Sequence, residues 1–167
     1  NGFSPHDRQM IEKHKNDKVF KITIFRYPVQ GAIQNLMKLY TLGRLQKGMK
    51  ELNYDTLYHL GIVVNDDYIL EKQSSVMFYK RQNFLNEIRG KSPELLELNI
   101  NVDVSIGDMI QNTKNYMGER KFSYYNAMNN NCQIFIYSIL KSNGLLTETN
   151  LEFVKQDIKN YSNKKRV

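Results

Sequence analysis

The chain has 167 residues and a hydrophobic content of 41%, enough for one domain with its own core. No apolar run approaches the roughly 18 residues of a membrane-crossing helix, and no charged-then-apolar leader opens the sequence. The formal net charge of +7 permits contact with an anionic membrane surface but does not require it. Without a glycine-rich signature or zinc-finger spacing, no specific nucleic-acid partner is expected.

The first 18 residues are polar, and Ser4-Pro5 opens a short helix with Ser4 as N-cap and Pro5 at the first helical position. From Val19 to Arg26 the sequence alternates, with Phe20, Ile22 and Ile24 on one face and Lys21 and Thr23 on the other, which predicts a strand ended by Pro28. Residues 29–50 read as a basic amphipathic helix, divided near Gly43, whose apolar stripe Val29, Ile33, Leu36, Met37 and Tyr40 is expected to pack on a sheet. Lying on a membrane surface is its alternative.

Two strands follow, at about 57–64 and 68–73, joined by the turn-forming Asn65-Asp66-Asp67. A three-residue loop sets Val64 opposite Tyr68 and Gly61 opposite Glu71, leaving Glu71 diagonal to His59 on one face. A two-residue loop turns Glu71 to the other face, and the sequence does not choose between them. Residues 84–88 suggest a short helix, and Leu98, Ile100, Val102 and Val104 suggest a strand at 98–104. Ser105 caps a helix that runs to about Tyr116 and is closed by Gly118. The segment from Phe122 to Asn131 is aromatic and loop-like. A helix then runs from Cys132 to about Ser142 with Asn143-Gly144 as its C-cap signal, and a last helix is expected at about 150–161.

The chemistry concentrates at Cys132, which is the only cysteine and follows Asn129-Asn130-Asn131 at a helix start. Helix N-terminal N–H groups and the helix dipole favour a thiolate there, and the same N–H groups suit an oxyanion. His59, on the strand Tyr58-His59-Leu60-Gly61-Ile62, is the candidate base for that nucleophile. Glu71 on the next strand is the candidate orienting group, with Gln73 next in line on the same face. A second oxyanion donor is not identifiable, and Tyr58 is the one candidate. Taken singly, a cysteine is usually a small buried hydrophobe and a strand histidine a core residue; their combination with an acidic neighbour carries the functional reading. A single cysteine forms no internal disulfide, which suits a reducing, cytoplasmic setting. With His6, His14, His59 and Cys132 scattered, no metal site is expected, and no cofactor is implied.

These residues resemble a family. Tyr58-His59-Leu60-Gly61-Ile62, then Glu71, then Asn130-Asn131-Cys132-Gln133-Ile134-Phe135-Ile136 are similar to the circularly permuted papain-like proteins of the NlpC/P60 superfamily. That group includes the lecithin retinol acyltransferase-like enzymes and related bacterial and large-DNA-virus proteins, in which the strand His precedes the Cys. Glu71 stands twelve residues after His59, where the acyltransferase-like enzymes carry a second His. The segment Phe122-Ser123-Tyr124-Tyr125-Asn126 looks most like the viral versions.

The resemblance spans about residues 55–145 and implies a single α+β domain over 1–167, with an antiparallel sheet packed against the nucleophile helix and flanking helices. It implies a Cys132–His59–Glu71 triad that works through an acyl-thioester on a peptide, isopeptide or lipid ester. For a viral protein the setting would be host cytoplasm or virion. The alternative is a catalytically inactive papain-like structural or membrane-association module. Glu71 in place of the second His, and Gln133-Ile134 after the Cys, depart from the acyltransferase pattern and point to amide or ester cleavage rather than lipid acyl transfer. The oligomeric state is left open.

Overall fold

The computed structural model describes residues 2–28, 58–82, 93–124 and 131–155. Ser4 opens the first element as its sequence dictates: its hydroxyl accepts the Asp7 N–H at 3.1 Å, Pro5 fills the first turn, and helix α1 runs Pro5–His14. Strands β1 (Ile22–Pro28), β2 (Tyr58–Val64), β3 (Tyr68–Lys72), β4 (Val76–Lys80) and β5 (Glu94–Leu98) follow. Helices α2 (Ile106–Met117), α3 (Glu119–Ser123), α4 (Cys132–Ser142) and α5 (Glu148–Val154) complete the described chain. The fold is mixed α+β, with an antiparallel five-stranded sheet in the order β4-β3-β2-β1-β5 packed against helices.

The β2–β3 hairpin takes the three-residue loop. Val64 pairs with Tyr68 and Gly61 with Glu71. Asn65 and Asp66 adopt φ of 55° and 59°, the left-handed region that Asn and Asp tolerate better than other side-chain-bearing residues. The Asn65 side chain also fixes the turn to its surroundings. Its carbonyl accepts from Phe20 N–H (2.9 Å) and Lys21 N–H (3.2 Å), and its amide donates to the Lys18 carbonyl (2.9 Å).

Strands β2 and β3 are buried on both faces, whereas the edge strand β5 is largely exposed. On one face, Ile22, Ile24, Leu60, Ile62, Leu70 and Phe78 pack with Phe135, Ile136, Ile139 and Leu140 of α4 and with Ile106 and Met109 of α2. On the other, Phe25, Tyr27, Val63, Ile69 and Tyr79 form a second apolar cluster. Charged residues are buried as well. Lys72 is fully enclosed, donates to the Lys121 carbonyl of α3 at 2.6 Å, and has its pKa lowered to about 8 by burial.

Several expectations need correction. Phe20 is 67% exposed and does not share the buried face of Ile22 and Ile24, because β1 begins two residues later. The alternating residues 98–104 are not a strand. The strand lies earlier, at Glu94–Leu98, where Arg26 pairs with Glu94 and Ile22 with Leu98. Beyond it, Ile100 and Val102 pack against the core without a ladder, and the Val104 carbonyl takes the Val19 N–H at 2.9 Å. Strand β4 was not anticipated. Phe122 and Ser123 lie in helix α3 rather than in a loop. The last helix starts at Glu148 under a Thr147–Asn150 capping box. The expected helices at 29–50 and 84–88, and the end of the one expected at 150–161, lie outside the described residues.

Gly61 is required by packing. A Cβ there would stand 2.3 Å from Phe25 Cζ, 2.8 Å from Cε1 and 3.1 Å from Glu71 Cβ. The Phe25 ring therefore lies across the glycine, and Glu71 sits against its backbone. We expect Gly61→Ala to lower the unfolding free energy by about 2–3 kcal/mol, the range of core overpacking. Chemical denaturation measures this, and a variant as stable as the parent would show that Phe25 can be displaced at no cost.

Candidate active site

His59 projects from β2 into the second apolar cluster, beside Tyr27 with ring centroids 5.4 Å apart. Its Nε2 meets Glu71 Oε2 at 2.7 Å. The hairpin register makes this contact: Gly61 faces Glu71, and His59, two residues earlier on the same face, reaches it diagonally. Both groups are buried, His59 to 6% exposure and Glu71 to 1%. The second carboxylate oxygen, Oε1, accepts the Tyr79 hydroxyl at 2.6 Å and the Gln73 amide at 3.4 Å. The carboxylate is thus held from β2, from β4 and from the turn between β3 and β4.

Cys132 arrives from the helix side. Asn131 caps α4 by accepting the Ile134 N–H at 3.1 Å, so the helix begins at Cys132. Of the first N–H groups of α4, those of Ile134 and Phe135 are taken by Asn131. Helix α4 packs on β2 and β3, and its start lies where β2 begins: Cys132 Sγ is 3.8 Å from the Tyr58 carbonyl. The thiol lies close enough to His59 to act on its pKa. With Nε2 given to Glu71, Nδ1 is the ring nitrogen left for it.

The structure therefore brings Cys132, His59 and Glu71 together. Burial alone would lower the His59 pKa. The interactions with Cys132 and Glu71 outweigh burial and raise it to about 10. The imidazolium is the favoured form at neutral pH.

Two further residues belong to the site. Tyr79, the hydroxyl donor to Glu71, lies on the unanticipated strand β4. The turn residues Ser74-Ser75 before Val76-Met77-Phe78-Tyr79 were its sequence signal. Gln133 is the second. Its Nε2 donates to the Tyr58 carbonyl at 2.8 Å, and its Oε1 lies 3.1 Å from Cys132 Sγ. Gln73 contacts Glu71 instead of replacing it. Tyr58 contributes its carbonyl, an acceptor. Its ring lies beside the Arg26 guanidinium, on the face opposite His59. His6 and His14 lie apart, beside Asp7 and Asp17. No group of three or more metal-ligating side chains occurs among the described residues.

Compared with family models, curated proteins and solved structures, the chain matches none.

The raised His59 pKa fixes the sign of a stability effect. A group whose pKa is raised on folding adds stability below its unfolded value, about 6.5, and loses it as pH climbs through about 10. Removing one partner of a buried pair costs about 3 kcal/mol or more. Glu71→Gln is therefore expected to be less stable than the parent by that order near neutral pH, with the gap narrowing across this window. Denaturation midpoints measured against pH check it, and a gap independent of pH would mean that the pair carries no charge. Tyr79→Phe leaves Glu71 Oε1 short of its shortest donor and should cost about 1–2 kcal/mol, read by the same method.

Proposed function

We propose that the chain is a cysteine-dependent hydrolase or acyltransferase with a permuted papain-like arrangement, acting through an acyl-thioester on an amide or ester. The observation that carries this reading is the buried His59–Glu71 hydrogen bond, with the Cys132 thiol at a helix start near enough to act on the His59 pKa. In chain order the histidine and its carboxylate precede the nucleophile, as in the permuted group that the motifs resemble.

In the proposed reaction Cys132 reacts as a thiolate paired with the His59 imidazolium, which keeps the proton, and the thiolate attacks the carbonyl carbon. The Cys132 N–H at the helix start donates to the oxyanion. The tetrahedral species collapses as the C–N or C–O bond breaks, and the leaving amine or alcohol takes the proton from His59. Water, activated by the same imidazole, then cleaves the thioester and releases the acid; a second alcohol or amine in place of water gives transfer. Glu71 holds the ring in the tautomer that faces the thiol and balances the imidazolium charge. Peptide, isopeptide and lipid-ester carbonyls all fit this chemistry.

A second reading is a catalytically inactive structural or membrane-association module. The low exposure of Cys132 and His59, 3% and 6%, favours it. A reactive-thiol probe separates the two. Labelling of Cys132 at neutral pH that is lost in His59→Ala supports the enzyme, and a thiol equally inert in both proteins supports the module.

For the enzyme, Cys132→Ala is expected to lose turnover by roughly a thousandfold or more while keeping its thermal transition. Glu71→Gln is expected to lose less, on the order of a hundredfold. It should also move the alkaline limb of the pH–rate profile to lower pH, because the imidazolium loses its counter-charge. Substrate search by mass shift on Cys132, using peptide and phospholipid-vesicle acyl donors, supplies the assay. Wild-type turnover in Cys132→Ala would reject the cysteine as nucleophile.

A further inference from the structure

The amide of Gln133 faces the nucleophile with its oxygen, and this orientation is dictated rather than chosen. The Tyr58 carbonyl cannot donate, so the group 2.8 Å from it must be the NH2 end of the amide. The carbonyl end is then left 3.1 Å from Cys132 Sγ. Gln133 is buried, 2% exposed, so water does not screen this contact. A carbonyl oxygen accepts an S–H but repels a sulfur anion. The Tyr58 carbonyl, 3.8 Å from the same sulfur, has the same sign. His59 and the helix start act in the opposite sense, favouring the thiolate.

We propose that Gln133 is a brake on the nucleophile: anchored to the Tyr58 carbonyl, it holds Cys132 as a thiol and sets the lower pH edge of its reactivity. The inference deepens the site described above and rests on Cys132 being its reactive thiol. Full reactivity then requires the amide to leave Tyr58, which lets its NH2 end turn toward sulfur. Gln133 is a positioning residue in this scheme, and the group that touches substrate is Cys132.

Few other charges compete at this end of α4. Among the described residues, β2 brings His59, and behind it stand Glu71 on β3 and Tyr79 on β4. The Lys72 ammonium is directed to the Lys121 carbonyl. From α2, Tyr116 interacts with Tyr137 and Lys141, further along α4, and on α5 Glu152 pairs with Lys155.

The test is the pH dependence of iodoacetamide alkylation of Cys132, in which sulfur displaces iodide; it needs no substrate. Gln133→Leu removes the carbonyl and is expected to move the acid limb down by about one pH unit, a tenfold faster reaction on that limb. Gln133→Glu keeps the shape and places a carboxylate there, and is expected to move the limb up. Thermal melts of each variant identify any that fails to fold, and the remaining one decides. An acid limb unchanged in the folded variants overturns the proposal. The shift in Gln133→Leu should persist in a His59→Ala background; a shift seen only with His59 present would assign the effect to His59 and also overturn it. Absence of turnover on every acyl donor would reject the enzyme reading and leave this result standing.

Discussion

The contact on which the rest of the site depends is the buried hydrogen bond between His59 and Glu71. A carboxylate enclosed in a protein is costly unless donors replace the water it has lost. Glu71 has three: His59 on β2, Tyr79 on β4, and Gln73 in the turn that joins β3 to β4. The pair therefore exists only if the sheet is assembled in one register. That register is set by a turn in which Asn65 and Asp66 take positive φ, and by a glycine that admits the Phe25 ring. A slip of one residue would send Glu71 to the opposite face, among Leu60, Ile62 and Leu70.

The sheet can hold a charged pair on one face because its central strands are buried on both sides. Helices α2 and α4 pack on one face, and Phe25, Tyr27 and Tyr79 form a buried aromatic cluster on the other. Adjacent residues on β3 show the consequence. Glu71 and Lys72 point to opposite sides, and each is enclosed and hydrogen-bonded there. An antiparallel strand with one solvated face would have left one of them in water. In a medium of low polarizability the His59 imidazolium is favoured by its partners despite its burial, which is the condition a thiolate–imidazolium pair requires.

Cys132 lies between opposing influences. The helix start and His59 favour its anion, and two carbonyl oxygens, from Gln133 and Tyr58, favour its protonated form. The same Gln133 amide that faces the sulfur also ties the helix start to β2. The placement of the Cys132 thiol and the polarity around it are thus one structural feature.

Much of this was legible in the sequence where the signal is local. Ser4-Pro5, Ser105 with Gly118, and Asn131 with Asn143-Gly144 mark helix ends because capping depends on neighbouring backbone groups alone. The alternation of β2 and β3 placed His59 on a strand, and Cys132 at a helix start, for the same reason. The hairpin left two registers open, since loop length depends on backbone angles that Asn and Asp permit but do not impose. The tertiary structure chose between them through Asn65, whose side chain bonds to Lys18, Phe20 and Lys21, more than forty residues away. It likewise moved the strand expected at 98–104 to Glu94–Leu98, because pairing with β1 outweighs a pattern of apolar residues that can pack without a ladder. Tyr79 and Gln133 became part of the site only through contacts across strands and between helix and sheet. Such contacts have no period in the sequence, so residue types and spacing named the candidate groups, and only the packed fold decided what surrounds and orients them.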